Sequence, residues 1–443
     1  MLTKLRQLAE HQGFMKYFKN TSWLFGEKIL RMTVGLFVGV WVARYLGPEQ
    51  FGLFSYAQSF VGLFTAIATL GLDSIIVREL VKDASKRDEL IGTAFWLKLM
   101  GALSVLLFLA IAINFTSNDV YTNALVFIIA SATIFQSFNV IDCYFQSKVL
   151  SRYAVFANVF SLLISSVVKI ILILNEAPLV AFAWAVFFDS FVLGCGYLYF
   201  YIKANSSFSL WQLKFYNMTA QSLLKDSWPL ILSGMVLMIQ SRIDQVMIKE
   251  INNSIEVGYY SVALRLIESL GFIPIMLNNS LFPALVNAKK TSEKLYQMRF
   301  LNYYRLSFTL FLLAAIPIYF FSENIIVILF GEAYEPAGIL LSLMAIRLFF
   351  TNSGVARSSF ITIENLFKYS LITMIFGALV NVVLNYYLIP LFYSKGAIVA
   401  TIISFFVTTF MLDFLYAKTR ENVKLQIIGM VTFYKFPLGI KDV

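Results

Sequence analysis

The chain has 443 residues, of which 59% are hydrophobic and only 14% are charged, and its formal net charge is +10. A soluble core does not require so large an apolar fraction, so the composition excludes a soluble globular protein and indicates an all-α polytopic membrane protein. The basic residues fall in short clusters between apolar stretches, so we expect them to indicate how the chain is oriented in the membrane rather than to bind nucleic acid.

A helix that crosses a bilayer needs about 20 mostly apolar residues. By this rule the sequence predicts twelve transmembrane helices. They cover residues 23–45, 53–72, 90–113, 123–144, 154–174, 179–202, 228–248, 258–286, 306–321, 337–361, 369–389 and 396–416. The first span lacks a small-residue cleavage site and carries Glu27, Lys28 and Arg31, so we interpret it as an uncleaved helix rather than a signal peptide.

These spans predict two six-helix bundles around a central cavity. The predicted parts are a basic leader (1–22), the first bundle (23–202), a cytoplasmic linker (203–227), the second bundle (228–416) and a cytoplasmic tail (417–443). The apolar tail segment 425–434 is too short to span a membrane and is flanked by Lys424 and Lys435. We therefore expect it to be an interfacial helix or a loosely docked segment.

The distribution of lysine and arginine predicts the orientation of the chain. Of the 35 basic residues, 24 lie in the connections and termini on one side, and only Arg44, Lys249 and Lys395 lie on the other. By the positive-inside rule, this asymmetry places both termini in the cytoplasm.

Several kinds of catalytic chemistry are excluded by residue usage. His11 is the only histidine, and the two cysteines, Cys143 and Cys195, both lie in apolar stretches without metal-type spacing. No Walker-type glycine-rich loop occurs, so the chain itself is not expected to bind ATP. The sequence therefore predicts no catalytic residues, no metal site and no bound cofactor.

A short motif occurs twice, at equivalent places in the two predicted bundles. Gly52-Leu-Phe-Ser-Tyr-Ala57 opens the second span and Gly258-Tyr-Tyr-Ser-Val-Ala263 opens the eighth, and both read G-x-[FY]-S-x-A. Parallel repeats of six spans are typical of transporters in which one half rocks against the other around a binding cavity.

Basic side chains also occur inside the predicted spans, where each would cost roughly 2.5–3.5 kcal/mol at the centre of an isolated helix. They are Lys28, Arg31, Lys98, Lys169, Arg242, Arg265, Arg347 and Arg357. Several buried cations together predict a wet or ion-paired interior that faces an anionic passenger. Lys169 and Arg357 lie near span ends, so we expect both to snorkel to the interface.

Four segments resemble the polysaccharide transporter family, the O-antigen and capsule repeat-unit flippases of the multidrug/oligosaccharidyl-lipid/polysaccharide exporter superfamily. They are the run Arg44-Tyr-Leu-Gly-Pro-Glu-Gln-Phe-Gly-Leu-Phe-Ser-Tyr-Ala57, the run Ser241-Arg-Ile-Asp-Gln-Val-Met-Ile248, the run Glu256-Val-Gly-Tyr-Tyr-Ser-Val-Ala263, and Phe330-Gly331 before Tyr334. The resemblance covers essentially the whole chain, from the first span to the twelfth.

This resemblance implies a specific activity, location and set of partners. Such proteins move undecaprenyl-pyrophosphate-linked oligosaccharides across the bacterial inner membrane for O-antigen, a part of lipopolysaccharide, or for other surface polysaccharides. A polysaccharide polymerase and a chain-length regulator are then candidate partners, besides membrane lipid. Arginine and lysine in a hydrated cavity would shield the pyrophosphate without covalent chemistry.

The candidate cationic site consists of Arg31, Arg265, Arg347, Arg242, Lys28 and Lys98. Related lipid-precursor flippases carry cavity arginines in the first and eighth spans, and that location favours Arg31 and Arg265. An alternative is that each arginine pairs on its own helix, Arg31 with Glu27 and Arg265 with Glu268. For Lys98 the candidate partners are the carboxylates of Asp142 and Asp189.

The acids within the spans are candidates for charge pairing or for coupling to a proton or sodium gradient. They are Glu27, Asp142, Asp189, Asp244 and Glu268. Arg242 and Asp244 are two residues apart and point to different faces of one helix, so each is expected to need a partner on another helix.

Two other functions compete with the flippase hypothesis. A multidrug or cation exporter of the same superfamily would favour acidic cavities, whereas basic residues outnumber acidic ones within these spans. A membrane-embedded polysaccharide polymerase would be expected to carry a sizeable periplasmic loop with catalytic residues, but the longest predicted outer segment, 322–336, is short.

Overall fold

The computed structural model describes residues 12–204 and 214–435, and within those ranges the backbone is helical, without β-strands. This confirms the predicted all-α class. Parts of the predicted leader, linker and tail, residues 1–11, 205–213 and 436–443, lie outside the described residues.

The α-helices follow one another along the described chain with short connections. They are α1 (Gln12–Thr69), α2 (Asp73–Lys82), α3 (Arg87–Ala112), α4 (Val120–Ser131), α5 (Asn139–Ser147), α6 (Arg152–Leu174), α7 (Leu179–Ala204), α8 (Asn217–Ile251), α9 (Ser254–Leu270), α10 (Phe272–Thr291), α11 (Glu293–Phe330), α12 (Ala337–Ile363), α13 (Phe367–Phe406), α14 (Leu412–Leu415) and α15 (Arg420–Val431). A π-helical turn, Val407–Met411, joins α13 to α14.

Ten helical segments in the described part of the chain are long and apolar enough to cross a membrane. Two of them, Asn20–Lys82 with 63 residues and Phe367–Leu415 with 49, are far longer than a single crossing requires. The first contains a break at Gly47, with a φ of 69°, and a second turn at Leu70 and Gly71 before α2, and the other breaks at Tyr393, with a φ of 55°. The breaks at Gly47 and Tyr393 are the ones that separate predicted spans. The ten segments therefore accommodate the twelve predicted passages.

The chain forms two compact units. The first contains residues Met1–Tyr45 and Ala57–Arg242, and the second contains Leu46–Tyr56 and Ile243–Val443. The helix that follows the predicted linker thus belongs to the first unit as far as Arg242. These two units do not have the same boundaries as the predicted six-helix bundles, 23–202 and 228–416. The division into those bundles stays a prediction.

The core of the first unit is built from apolar side chains of α2, α3, α5, α6, α7 and the start of α8. Leu72, Ile76 and Phe145 are fully buried there, and Tyr201 packs edge-on against Tyr144 at a ring distance of 5.1 Å. The second unit has a comparable core around Phe300, Tyr304 and Phe360. Each unit therefore buries apolar and aromatic surface of its own.

The duplicated motif forms a backbone contact inside the second unit. A Cβ on Gly52 would overlap the carbonyl oxygen of Ser254, and a Cβ on Gly258 would overlap the carbonyl oxygen of Pro48. Tyr56, which follows in the same segment, donates a hydrogen bond of 2.8 Å to Glu250 Oε1. Only glycine permits two helices to approach this closely, and this explains why both copies of the motif begin with one.

The tail helix α15 packs against α11. Its buried face carries Asn422 and Gln426, and both amides hydrogen-bond to the hydroxyl of Tyr304, at 2.8 and 3.3 Å. Gly429 lies against the Tyr304 backbone and Cβ. The segment is therefore packed on α11 and not loosely docked, whereas an interfacial position stays a prediction.

The glycine contact yields a stability prediction. Gly258→Ala should lower the free energy of unfolding by about 1–3 kcal/mol, because the new methyl group forces the Pro48 backbone away. The control is Gly354→Ala in α12, where nothing lies within 4 Å of the added Cβ. That variant should be neutral or stabilised by roughly 0.5–1 kcal/mol. Thermal unfolding of both purified proteins in detergent is the measurement, and equal midpoints would contradict the contact.

Candidate functional site

The cations predicted for the first span lie on an exposed part of α1. Arg31 donates through Nε to Glu27 Oε1 at 2.7 Å, so the alternative of pairing along one helix is observed here. The arginine side chain nevertheless remains 47% exposed, whereas that of Glu27 is only 12% exposed. Lys28, one residue after Glu27, is also exposed. This stretch thus presents one buried carboxylate and two accessible cations.

Lys98, unlike Lys28 and Arg31, is buried inside the first unit. Its side chain is 1% exposed, and its ammonium binds the carboxylate of Asp73 at the start of α2. Cys143 Sγ lies 3.7 Å from the same carboxylate oxygen. The expected partners, Asp142 and Asp189, are wrong: the buried ammonium of Lys98 pairs with an aspartate whose own side chain is 58% exposed. A buried ammonium requires such a partner because desolvation penalises its charge.

Arg357 is corrected in the same way. Instead of snorkelling, its guanidinium forms a two-point ion pair with Asp413, with bonds of 2.6 and 2.8 Å. Asp413 is fully buried and also accepts a bond of 2.9 Å from the Tyr369 hydroxyl. This arrangement joins α12, α13 and α14 at one end of the second unit.

Asp244 is the most enclosed of the predicted acids that remain without a basic partner among the bonds the structure describes. Only 3% of the residue is exposed. Its carboxylate accepts hydrogen bonds from Tyr260 at 2.6 Å, Asn385 at 2.7 Å and Thr401 at 2.6 Å. The partners lie on α9 and on both arms of the kinked α13, as expected for a side chain that cannot be satisfied on its own helix.

The break at Tyr393 makes this polar cluster possible. It folds α13 back on itself, so that Asn381 on one arm donates to Thr401 on the other at 3.2 Å. Asn385 bonds both Asp244 and Asn381, while its own Oδ1 is buried without a partner among the described residues. Carboxylate, amide and hydroxyl oxygens converge here, and these are the ligand atoms that hard cations prefer.

Two predicted arginines of the second unit lie over aromatic rings. Arg347 Cζ is 5.7 Å from the ring centre of Phe405, and Arg265 Cζ is 5.9 Å from that of Phe51. Both side chains are half-buried. For Arg347 the bonds described for residues 12–204 and 214–435 include no carboxylate partner. Stacking on Phe405 leaves the N–H donors of Arg347 available for an anion.

The remaining predicted residues lie outside the polar cluster around Asp244. Asp142 accepts a bond of 2.9 Å from Gln146 on its own helix, and Asp189 accepts one of 2.7 Å from Ser161 on α6. Arg242 is half-buried in the first unit, and Glu268 is exposed in the second. The structure thus gathers a polar cluster around Asp244 but does not gather the other acids there.

Sequence analysis missed several side chains that pair with the predicted residues, for identifiable reasons. Asp413 lies inside the predicted twelfth span, so the same rule that selected the other acids would have found it. Asp73 follows the end of a predicted span. Tyr260, Asn385 and Thr401 carry no charge, and a single sequence offers no signal that distinguishes them from other polar residues in apolar helices.

The Arg357–Asp413 pair gives a second stability prediction. Asp413→Ala should lower the free energy of unfolding by about 3–5 kcal/mol, because a buried guanidinium is left without its counter-charge. The double variant Arg357→Met with Asp413→Leu should recover much of that loss. Lys424→Ala, which breaks an exposed pair with Glu421, should cost under about 1 kcal/mol. Unfolding midpoints in detergent measure all three, and an unaffected Asp413→Ala would refute the buried pair.

Comparison with known proteins agrees with this architecture. The family model described as polysaccharide biosynthesis protein matches residues 17–289. No curated protein sequence matches the chain significantly.

Solved transporter structures share the fold over nearly the whole chain. The inward closed conformation of the lipid II flippase MurJ matches with a TM-score of 0.72 at 14% identity, covering 92% of this chain and 90% of that one. An inward-facing multidrug resistance MATE family transporter of the MOP superfamily matches with a TM-score of 0.68 at 16% identity, covering 91% and 96%. An outward-facing MATE structure gives 0.62 at 17%, covering 93% and 96%. The fold is that of these transporters and flippases.

Proposed function

Since this chain belongs to the polysaccharide biosynthesis protein family, we propose that it is a flippase for lipid-linked oligosaccharides rather than an enzyme. Its cargo is an undecaprenyl-pyrophosphate-linked repeat unit, which it moves by alternating access across the bacterial inner membrane, with both termini in the cytoplasm. The product serves O-antigen or another surface polysaccharide. A polysaccharide polymerase and a chain-length regulator are the partners that such a pathway supplies.

The observation that carries this proposal is the environment of Arg347. Its guanidinium lies over Phe405 in the interior of the predicted tenth span, and the described bonds give it no carboxylate. Lys98 and Arg357, by contrast, are each neutralised by an aspartate. A chain that neutralises some of its buried cations and leaves another able to bind an anion is suited to a phosphorylated passenger. The family match and the shared fold with a lipid II flippase support the same function.

Arg347→Ala should reduce transport about tenfold or more, because a hydrogen bond to a charged group contributes roughly 1.5–3 kcal/mol. Arg347→Lys should restore part of the activity, since it keeps the charge but loses the planar fork. The measurement is translocation of a fluorescent polyprenyl-pyrophosphate oligosaccharide in proteoliposomes, read by a membrane-impermeant quencher.

The matched control for this measurement is Arg420→Ala. Arg420 also stacks on a phenylalanine at 5.7 Å, but it lies in the tail after the predicted twelfth span. That variant should transport normally at equal protein level. If Arg347→Ala retains full transport, the anionic-passenger site does not include this arginine.

The second part of the proposal is that Asp244 couples transport to a proton or sodium gradient. Three neutral donors hold its carboxylate in the interior of the second unit. Such a carboxylate gains from taking up a positive ion, because burial in a low dielectric disfavours its isolated charge. Asn385 and Thr401 supply further oxygen atoms for a metal cation, whereas a proton would need only the carboxylate.

Asp244→Asn should therefore uncouple transport from the ion gradient while preserving the fold, because the amide keeps the size and part of the hydrogen bonding. Translocation is measured with an imposed sodium gradient, with an imposed pH gradient and with neither. The wild-type protein should respond to one of the two gradients and Asp244→Asn to neither. Asp189→Asn, at a second predicted acid that accepts a hydrogen bond from Ser161, should respond like the wild type. A normal response of Asp244→Asn would rule out this residue as the coupling group.

Export of cationic drugs is the competing function, since MATE transporters share the fold. The two functions are distinguished by expressing the chain in a drug-sensitive host and, separately, in a strain that lacks its surface-polysaccharide flippase. Restored polymer without drug resistance supports the proposal, and the reverse result supports the exporter.

A further inference from the structure

The carboxylate of Asp244 and the guanidinium of Arg347 are both contacted by one face of the second arm of α13. Thr401 donates to Asp244 Oδ2 at 2.6 Å, and the ring of Phe405, four residues later, lies 5.7 Å from Arg347 Cζ. The backbone between these two residues is regular helix. Side chains four residues apart on a helix share a face, with Cβ atoms about 5–6 Å apart. The candidate ion-coupling group and the candidate passenger group are therefore about one helical turn apart.

Tyr260 of α9 forms a second connection between the same two groups. Its side chain is buried, its hydroxyl donates to Asp244 Oδ2 at 2.6 Å, and it lies within electrostatic range of Arg347. The next residues along the two helices also pair, since Gln245 donates through Nε2 to Ser261 Oγ at 3.0 Å. These contacts hold α8 against α9, so that packing on two sides keeps the carboxylate near the guanidinium.

We propose that a cation at Asp244 and the pyrophosphate of the passenger at Arg347 bind cooperatively, so that each strengthens the binding of the other. The inference rests on the proposed flippase function and adds how the ion regulates the binding of the substrate.

The sign of this cooperativity follows from the charges. Without a cation, the carboxylate of Asp244 attracts the guanidinium of Arg347 and repels an anion that approaches it. This field is weakly screened because the carboxylate is buried. A proton or a sodium ion cancels the negative charge and leaves the guanidinium to pair with the pyrophosphate. By linkage, the pyrophosphate must raise the affinity for the cation by the same factor.

The other charged and titratable groups around Asp244 do not reverse this sign. Tyr260 and Glu268 face the region from α9, and Arg347 faces it from α12. The described contacts from α13 are a neutral amide and a neutral hydroxyl, and Arg242 points to a different face of α8. Glu268 is exposed, so water screens its charge far more than that of the buried aspartate. Neutralising Asp244 is therefore the change that raises the affinity for an anion most.

The test measures binding to the full-length protein purified in detergent. The probe is a water-soluble geranyl pyrophosphate linked to a disaccharide, a diester that keeps both negative charges near neutral pH. Its affinity is measured by calorimetry in two series, one with rising sodium at constant pH and ionic strength and one with falling pH in the absence of sodium. One series should raise the wild-type affinity about tenfold, within the range of about 5- to 150-fold that is typical of coupled sites. The series that responds identifies the cation.

Asp244→Asn should bind the probe about tenfold more tightly than the wild type when the cation is absent, and should not respond to the cation, because the amide is always neutral. If the aspartate were merely structural, its replacement would weaken binding. The matched control is Asp189→Asn in the first unit, which should keep the wild-type affinity and the wild-type response. Arg347→Ala should bind the probe weakly under every condition.

A second measurement uses the wild type alone and so does not depend on the folding of Asp244→Asn. Cation binding is followed with radioactive sodium, or as proton uptake in a weakly buffered solution. Saturating probe should raise the affinity for the cation by the same factor by which the cation raises the affinity for the probe.

Three results overturn the inference: a wild-type affinity that neither cation changes, an affinity that the cation lowers, or a cation response that persists in Asp244→Asn. Translocation by the same wild-type protein in proteoliposomes separates this inference from the flippase proposal. Transport with cation-independent binding rejects only the cooperativity. The absence of both binding and transport rejects the flippase proposal and the inference with it.

Discussion

The constraint that governs this molecule is the low dielectric around its helices, in which every charge must be neutralised, hydrogen-bonded or kept near water. The chain meets it in three ways. Lys98 and Arg357 are buried against aspartates, Asp244 is held by neutral donors, and Arg31 keeps half of its side chain exposed. The first arrangement stabilises the fold. The other two leave charge that an ion or an anionic headgroup can engage, and they are where function is expected.

The duplicated glycine motif has a physical role that its sequence alone did not reveal. Gly52 belongs to the first copy and lies against the carbonyl of Ser254, four residues before the second copy begins. Gly258 belongs to the second copy and lies against the carbonyl of Pro48, four residues before the first copy begins. Two turns beyond Gly258, Arg265 stacks on Phe51, which directly precedes Gly52. The close approach and one of the candidate arginines are thus parts of the same contact region. A repeat of a few residues can persist in a divergent apolar sequence because glycine is required at both positions for packing.

Whether a feature of this protein can be predicted from one sequence depends on how far apart along the chain the interacting residues lie. The apolar spans are local properties, and twelve passages follow from counting them, even though two pairs of spans are joined into continuous helical segments at Gly47 and Tyr393. The pairing of Arg31 with Glu27 is equally local, four residues apart on one helix. Partners on other helices were not predictable. Lys98 was expected to bind Asp142 or Asp189 and binds Asp73, because each of the three acids is compatible with the sequence and only packing selects among them.

The π-helical turn at Val407–Met411 is another feature that could not be predicted from the sequence. In a regular helix Thr401 and Asp413 would point about 120° apart, whereas one inserted residue brings them within about 20°. Both are buried in the second unit, where Thr401 donates to Asp244 and Asp413 pairs with Arg357. Hydropathy and the distribution of basic residues by themselves determined that this chain is a helical membrane protein with cations inside its spans. Only the tertiary structure decided which of those charges are neutralised, because that depends on kinks, inserted turns and neighbours far away in the sequence.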